Sequence, residues 1–592
     1  DYRMQNPYWI AYRNLRLNNK KRYMASAGLS YQILDWLNVA GRVRIDNTHS
    51  EYEGKLYASS SNTLTDGSTQ GHYTVNNGQY SQTYADVLVN INKRIQDFTI
   101  VANIGASYSG VTSKELGYAG PIRETGIPNL FNVYDLDNAK KRATQVGWRE
   151  ATESVFASAE VGWKSMLYLT VTGRNDWASQ LTHSPQASFF YPSVGLSAVI
   201  TEMLKLPDWV DYLKVRGSFS SVGNPYPRFL TYPTYSYDAN KQDWKSQTNY
   251  PIGKLYPERT DSWEVGLDAT LFKDFKLSGS FYYANTYNQA FDPRLPVSSG
   301  YDKLYVQTGY VRNYGFEAML SYGHRWGDFG WDSSFTFSAN KNEIVELVKD
   351  YVHPETGKTY NVDKLELKTD EGRGFGKAKF ILKEGGTLGD LYTHADLKRD
   401  INGNILIDDS GNVTAIDNAG DIKLGSVLPK ANLAWNNSFS YKGINAGFLL
   451  TARLGGIVYS ATQAYLDLYG VSETSAAARD AGGVWINGRS RVNPQSFYEV
   501  VASQSGLPTY YTYSATNLRL QEAHIGYTVP RRWLGNVCDI NVSLVGRNLW
   551  MIYCKAPFDP EAVATTNNYY QGIDYFMMPS TRNIGFNIKI NF

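Results

Sequence analysis

Apolar and polar residues alternate one by one along many stretches of this chain. In the closing stretch RNIGFNIKINF (582–592), the apolar side chains are Ile584, Phe586, Ile588, Ile590 and Phe592. An alternation with a period of two predicts a β-strand with one apolar face and one polar face. The pattern alone does not decide whether the apolar face contacts a protein core or lipid.

The same alternation predicts about 17 strands over the whole chain. In one strand the phase changes after Leu518 and Leu520, which predicts a β-bulge near Gln521–Glu522. The predicted strands are centred on residues 22–33, 37–50, 80–94, 97–110, 151–163, 166–177, 188–201, 211–222, 260–272, 275–288, 311–326, 330–342, 430–441, 444–457, 515–529, 537–551 and 581–592.

The connections between these strands alternate in length. Short connections cover 34–36, 94–97, 164–166, 272–275, 327–330 and 441–444, and those at 202–210 and 530–536 are intermediate. Long connections cover 51–79, 112–150, 223–259, 289–310, 343–429, 458–514 and 552–580, with a modest one at 178–187. Such an alternation puts all tight turns at one end of the sheet. It is typical of outer-membrane barrels, which have short periplasmic turns and long extracellular loops.

Aromatic residues support this interpretation. The chain contains 46 Tyr and 14 Trp, and both residue types favour boundaries between apolar and wet surroundings. Membrane barrels carry girdles of such residues at their interfaces. Seven aromatics beside the short turns predict a periplasmic girdle, namely Trp36, Trp163, Phe275, Trp326, Trp331, Tyr441 and Trp533.

The composition narrows the class of protein. No apolar run approaches the roughly 18 residues of a transmembrane helix, and the mean hydropathy is −0.40. The 592 residues contain no Pro-rich, Ser-rich or charged linker, which favours one large closed sheet over several soluble domains. A net charge of +2 offers no basic stripe for nucleic acid. Cys538 and Cys554 are either two free thiols or one disulfide.

The strand count predicts only part of a barrel. The last strand must run towards the periplasm, where Phe592 is expected at the rim facing lipid, and with 17 strands the first runs the same way. Bacterial barrels close with an even number of strands, so an odd number is expected upstream. The first residues also lack the basic and apolar regions of a signal peptide.

Nine stretches, in order along the chain, resemble the SusC/RagA family of TonB-dependent outer-membrane transporters from Bacteroidetes. The resemblance covers the whole chain and is strongest after residue 420. The stretches are NPYWIAYRN (6–14), LSYQILDWLNVAGRVRID (29–46), FFYPSVGLSAVITE (189–202), LKVRGSFSSVGN (213–224), ERTDSWEVGLDATLFKDFKLSGSFYY (258–283), IKLGSVLPKANLAWNNSFSYKGI (422–444), NLRLQEAHIGYTVPRRW (517–533), VSLVGRNLW…FDPE (542–561) and the closing strand.

This resemblance implies an all-β, transmembrane antiparallel barrel of 22 strands in the bacterial outer membrane. It also implies a plug in the lumen, a SusD-like surface lipoprotein that caps the barrel as a lid, and work supplied by the TonB complex. Residues 1–592 are then expected to be a partial barrel domain, with the plug and five strands upstream.

No motif favours catalysis, a cofactor or a metal. The seven histidines never pair at i, i+4, and no G-x-S-x-G occurs. The stretch DINGNILIDDSGNVTAID (400–417) lacks the Gly at position six and the Glu at position twelve of a calcium loop, which favours a hairpin with NG and SGN turns. We therefore expect no enzyme activity and no cofactor.

The polar faces of the strands contain a series of arginines. They are expected to line a wet lumen, where they form ion pairs with the plug or meet the solute. These residues are Arg42, Arg44, Arg174, Arg216, Arg453 and Arg547.

Long loops rich in Tyr, Trp and Asn are the candidate contacts for a solute or for the lid. Aromatic faces stack on sugar rings and amides hydrogen-bond hydroxyls, although the same aromatics would also serve to pack the loops. Two stretches stand out, at 484–500 and 507–517. The candidate residues are Trp485, Asn487, Arg489, Tyr498, Tyr510 and Tyr511.

The expected function is active import of solutes too large for porins. Oligosaccharides are favoured because the family resemblance points to them, and oligopeptides are the main rival. A siderophore receptor, a passive porin and a structural or adhesive surface barrel stay open as alternatives. Outer-membrane lipid is an expected partner, and nucleic acid is not.

Overall fold

Seventeen strands form one sheet in which each strand pairs antiparallel with the next along the chain. The computed structural model describes residues 5–230, 255–291, 306–352, 376–565 and 571–591, with the short segments 235–238, 243–245, 249–250, 303–304, 357 and 359–367. The strands are β1 Asn14–Leu34, β2 Leu37–Tyr57, β3 Gly71–Ile95, β4 Phe98–Pro121, β5 Arg142–Trp163, β6 Leu167–Ala178, β7 Ser188–Val199, β8 Val210–Asn224, β9 Glu258–Leu271, β10 Phe275–Phe291, β11 Val306–Trp326, β12 Phe329–Glu346, β13 Ala431–Tyr441, β14 Ile444–Leu454, β15 Asn517–Val529, β16 Asp539–Cys554 and β17 Asn583–Asn591.

Helices and short strands occupy the connections. The helices are α1 Pro7–Arg13, α2 Ile200–Met203, α3 Ala461–Leu468, α4 Glu473–Asp480 and α5 Pro494–Val501. No described helix is both long and apolar enough to cross a membrane. The short strands are Ser236–Asp238, Asp243–Lys245, Asn249–Tyr250, Lys303–Leu304, Val348–Val352, Thr359–Val362, Lys364–Leu367, Ala378–Lys383, Asp390–Thr393, Asp396–Leu397, Ala415–Ile416, Ile422–Ser426, Ile457–Ser460, Val484–Ile486, Ser490–Val492, Thr512–Ser514 and Ile573–Asp574.

The predicted strands are confirmed one for one, but several were predicted too short. The first five strands extend well past the predicted ranges at their loop ends, so the connections shrink to 58–70 and 122–141. Beyond the apolar zone both faces of a strand contact water, so the alternation of apolar and polar residues fades. The backbone pairing continues regardless, because it does not depend on side-chain polarity.

One face of the sheet, called the outward face below, carries an apolar belt. On β5 this face shows Val155, Ala157, Ala159 and Val161 between Trp163 and Glu153, and Glu153 pairs with Trp177 of β6. The levels of Trp163 and Trp177 are therefore about ten residues apart along the strand, which is about 33 Å. At a tilt of about 40° this is about 25 Å, which is the height of the apolar band of a membrane barrel.

The predicted periplasmic girdle lies at the tight-turn end of this belt. Trp163, Phe275, Trp326, Tyr441 and Trp533 are each between 37% and 63% exposed. Trp36 lies under the ammonium of Lys93, with 4.7 Å from Nζ to the ring centroid. Aromatic rings and a lysine at the same level are the expected residues of a membrane interface.

The predicted β-bulge is confirmed. Leu449 and Leu450 of β14 pair with Glu522 and Leu520, which leaves Gln521 as the extra residue. The cysteines are both free. They lie at opposite ends of β16, about 50 Å apart along an extended strand, so a disulfide between them is excluded.

Within the described residues, the edge strands β1 and β17 each pair on one side only. Nearly all their residues are exposed. The prediction that Phe592 contacts lipid at the rim lies outside the described residues.

Candidate functional site

The inward face of the sheet is lined with charged pairs that span neighbouring strands. Arg42 on β2 donates through Nε and Nη2 to Asp86 on β3 at 2.9 and 2.7 Å. Arg216 on β8 reaches Glu264 and Asp268 on β9 at 3.2 and 3.0 Å. The wall itself therefore supplies partners for inward arginines, whereas the sequence suggested only the plug and the solute.

Two further inward arginines also bind carboxylates of the wall, Arg174 within its own strand and Arg547 across to the neighbouring strand. Arg174 donates to Asp176 and to Ser154 at 2.7 Å each, and Tyr191 donates its hydroxyl to the other oxygen of Asp176. Arg547 on β16 donates to Glu522 on β15 at 3.0 Å. In most of these pairs the arginine is the more exposed member, as with 56% for Arg42 against 2% for Asp86. The guanidinium groups thus present charge to a wet space while their carboxylates hold them in place.

Two of the predicted inward arginines have no carboxylate partner among the residues that the structure describes. Arg453 donates to the carbonyl of Val427 at 2.7 Å, and Arg44 lies 5.6 Å from the centroid of the Tyr84 ring.

At the long-loop end, three segments fold together into what we call the loop platform (residues 376–427, 455–516 and 571–577). Its buried core contains Phe380, Leu391, Tyr459, Phe497 and Ile573, all at most 4% exposed. A smaller cluster of Val311, Ile344, Leu347 and Leu382 packs the platform against the ends of β11 and β12. These three extracellular loops therefore form a packed body with its own core.

A buried carboxylate organises this platform. Asp467 at the end of α3 is 5% exposed. It accepts hydrogen bonds from Tyr511 at 3.0 Å, from Gln463 at 3.1 Å and from the hydroxyl of Ser472. Burial and the nearby Asp467 charge together raise the pKa of Tyr511 above its ordinary value, so this phenol stays protonated and donates.

A hairpin on the platform surface holds Trp485. The strands Val484–Ile486 and Ser490–Val492 are joined through Asn487, Gly488 and Arg489, and the φ angles of Asn487 and Gly488 are 52° and 67°. Positive φ at both central residues is the requirement of a type I′ turn, which Asn-Gly satisfies best. The turn places Trp485 opposite Arg491, with 4.5 Å from the guanidinium carbon to the ring centroid.

The same turn is attached to the 400–417 segment. Asn487 accepts from the backbone N–H of Ile405 at 3.0 Å and donates to its carbonyl at 2.8 Å. In that segment Asp400 and Asp408 each accept backbone N–H groups from residues two and four positions ahead. The predicted turns are confirmed as two successive Asx-type loops. Among the described residues, no group of three or more His, Cys, Asp or Glu is placed to hold a metal ion.

A buried ion pair fixes the last long loop to the sheet. Arg519 on β15, with 6% of its side chain exposed, binds both oxygens of Asp559 at 2.9 and 3.2 Å and reaches Glu561 at 3.3 Å. Burial by itself would raise the pKa of Asp559, but hydrogen bonds from Arg519 and from the N–H of Glu561 outweigh it and lower that pKa. Asp559 is therefore ionised at neutral pH and pairs with Arg519.

The structure separates the six candidate residues into two groups. Trp485 is 55% exposed, and Asn487 and Arg489 lie at the exposed hairpin tip. Tyr498 and Tyr511 are 8% and 2% exposed and belong to the platform core. The ring of partly buried Tyr510 packs against Phe497, with the centroids 6.0 Å apart. Only the hairpin residues of this set are positioned to meet a solute directly.

Sequence reasoning overlooked Arg491 and Asp467. Turn rules alone would not have found Arg491, because a two-residue Asn-Gly connection would place Ser490 opposite Trp485, whereas Arg489 adds a third residue and brings Arg491 there instead. No local signal marked Asp467, whose partner Tyr511 is 44 residues away in the chain.

The fold and the belt define a transmembrane β-barrel of the outer membrane. The chain belongs to the family described as TonB dependent receptor-like, beta-barrel, whose model matches residues 1–549. The prediction of a SusC/RagA-type protein is thereby confirmed at the level of the family.

Curated relatives of this chain support the assignment to this family. TonB-dependent receptor P3 from Formosa agariphila is 23% identical over 99% of this chain and 60% of its own length. TonB-dependent receptor SusC from Bacteroides thetaiotaomicron is 24% identical over 67% of this chain and 40% of its own length. The chain thus spans well under two thirds of the relatives it matches.

A solved structure, that of the RagAB peptide transporter, shares this fold. It matches with a TM-score of 0.74 and 17% identity, over 99% of this chain and 63% of that chain. Its open-open state matches with a TM-score of 0.71. At this level of identity, the likeness describes the architecture and leaves the cargo open.

Proposed function

We propose that this chain forms the wall and the extracellular platform of a TonB-dependent importer of oligosaccharides. The observation that carries the proposal is the combination of a wet, charge-lined inward face with a packed platform that presents an exposed tryptophan. Paired charges keep the wall polar for a hydrated solute, and a fixed platform orients the groups that select it.

The Trp485 hairpin is the proposed contact for a sugar ring. The indole is more than half exposed, and its orientation is set by Arg491 and by the I′ turn. A rigid aromatic face loses little entropy when it binds, which favours affinity. Oligopeptides stay the rival cargo, because Arg489 and Arg491 beside the indole also offer charge to peptide carboxylates.

Family membership supports the partners that we propose. We propose that a SusD-like lipoprotein covers the platform as a lid and that the TonB complex supplies work through a plug encoded upstream. In this proposal the chain is a partial barrel domain, as its 60% share of the P3 receptor suggests.

Calorimetry on the full-length protein with its lid tests the cargo class. Titration with a panel of oligosaccharides and with peptides of matched size is expected to show binding by an oligosaccharide alone. Binding by peptides alone would identify oligopeptides as the cargo. Binding by neither would count against import of oligosaccharides and of oligopeptides.

The substitution Trp485→Ala tests the site. We expect it to weaken oligosaccharide binding by about tenfold or more, as truncation of an exposed aromatic anchor does. Tyr134→Ala is the matched control, because Tyr134 is an 88% exposed aromatic in another loop. Equal losses in the two variants would show that the hairpin has no special role.

A further inference from the structure

Three cations project from the outward face just beyond the apolar belt. Lys21 on β1, Lys114 on β4 and Arg149 on β5 have the same orientation as the belt residues, because the strand register runs from Lys21 through His49 and Gln79 to Lys114. Arg149 pairs with Thr112, two residues from Lys114 on the same face. All three side chains belong to exposed residues.

Unlike most inward arginines, these cations have no ion-pair partner in the part of the chain that the structure describes. Among the described residues, Lys21, Lys114 and Arg149 form no ion pair, whereas Arg22 on the inward side of the same strand binds Asp46. Lys114 and Arg149 moreover stand beside each other as like charges. An unpaired like-charge pair lowers stability unless something else neutralises it.

Their height matches the extracellular headgroup layer. Lys21, Arg149 and Lys114 lie about 13, 14 and 16 residues from the periplasmic turns that bound their strands. With a rise of about 3.3 Å and a tilt of about 40°, this is about 33–40 Å from the periplasmic rim. The cations are therefore about 8–15 Å beyond an apolar band of about 25 Å.

Below the cations, the outward face contains an apolar groove of about 880 Å³. It lies in the outer half of the belt and crosses β1 to β6. Small side chains form its floor, and larger apolar ones form its walls. The side chains that face it include Ala27, Leu29, Val87, Ala106, Val155 and Trp177.

A second cavity of about 660 Å³ lies above the groove on the same strands. Its lining includes Lys114, His49 and Gln79. On strands β2 to β5 this face carries three carboxylates, and one of them, Glu53, is paired with Lys55 at 2.9 Å. Glu51 is held by Asn19 and His49 at 3.2 and 3.3 Å, and Glu153 lies at the rim of the belt beside Trp177.

We propose that this face binds a phosphate-bearing, acylated lipid of the outer leaflet. An acyl chain lies in the groove, and the phosphate is bound by Lys21, Lys114 and Arg149. The occupant is a lipid because the apolar groove and the cation cluster are stacked along the membrane normal, as the tail and headgroup of one molecule are. The proposal concerns the lipid-facing side and does not depend on the cargo of the lumen.

Lipid retention by the full-length protein in nanodiscs tests this proposal. The discs contain phosphatidylcholine with a small fraction of bisphosphorylated lipid A or of its dephosphorylated form, and bound lipids are counted by native mass spectrometry. The wild type is expected to retain the phosphorylated form in preference. The triple variant K21Q/K114Q/R149Q is expected to lose about fivefold per cation, on the order of a hundredfold in total.

Two variants make the test specific. K205Q/K273Q/R532Q removes three exposed cations from the periplasmic turns, and it is expected to retain lipid as the wild type does. A106L fills the groove on a face that already contacts lipid, and it is expected to reduce retention with all cations in place. The heat-dependent shift of folded barrels in gels confirms that each variant is assembled.

Four results would overturn the proposal. Three of them are equal retention of phosphorylated and dephosphorylated lipid by the wild type, unchanged retention by K21Q/K114Q/R149Q, and unchanged retention by A106L. Equal losses in the periplasmic control would do the same, because they would show a general effect of net charge.

Discussion

At the scale of the residue, neighbouring side chains of one type have different roles. Tyr510 and Tyr511 are adjacent, yet only Tyr511 donates its hydroxyl to the buried Asp467. A buried acceptor that loses its donors costs more free energy than the hydrogen bond contributed, because the carboxylate stays desolvated. Loss of a single donor atom to Asp467 is therefore expected to destabilise the platform.

The substitution Tyr511→Phe tests this role. We expect the platform to lose about 1–2 kcal/mol of local stability, since one hydrogen bond to a charged group is removed without changing the packing. Hydrogen exchange of the amides at 461–480 and 507–516 should accelerate accordingly. Tyr510→Phe is the control, and an equal acceleration there would contradict the role assigned to Asp467.

At the scale of the element, strands and turns follow local rules, and the contacts between loops do not. The Asn487–Gly488 turn could be derived from its two residues, whereas its attachment to Ile405 joins positions 82 residues apart. Each of the two Asx-type loops at Asp400 and Asp408 is stabilised within itself. The hairpin binds the first of them at Ile405, and Val413 anchors the second in the buried core of the platform.

The substitution Asn487→Ala tests that attachment. It removes both hydrogen bonds to Ile405 and places alanine at positive φ, which together should cost about 2 kcal/mol. Proteolysis within 398–414 is expected to become faster while the barrel stays folded. Arg489→Ala, at the same exposed tip, should leave the cleavage rate unchanged. Rapid cleavage in that control would assign the effect to the hairpin as a whole.

At the scale of the molecule, the outward face of the sheet contacts lipid and the inward face contacts water. The outward face carries the belt and its aromatic girdle, and the inward face carries charge pairs such as Arg42–Asp86. Moving by one residue along a strand exchanges these environments. The extra residue at Gln521 keeps both faces correctly assigned on either side of the bulge.

A pair of arginine substitutions on β4 tests the two faces. Ile104→Arg projects outward near the middle of the belt and should destabilise the barrel by about 2–4 kcal/mol. Asn103→Arg projects inward and should cost about 1 kcal/mol, through loss of the hydrogen bond to Ser158. Urea unfolding in lipid vesicles measures both. A larger cost at residue 103 than at residue 104 would reverse the assignment of the faces.

The 17 strands, the side on which each tight turn lies, the bulge and the girdle could all be predicted from the amino-acid sequence. These features follow from rules of period two and from turn residues close together in the chain, so they are readable without tertiary contacts.

The packing of the loops into a platform and the partners of the inward arginines could be learned only from the tertiary structure. The sequence predicted that Tyr511 contacts a solute or the lid, but its hydroxyl donates to the buried Asp467. Arg519 pairs with Asp559, which lies 40 residues further along the chain. Burial and ion pairing of this kind depend on which distant segments meet. The pattern of residues within one segment cannot predict such a contact, because the stabilising free energy arises only when the two segments pack together.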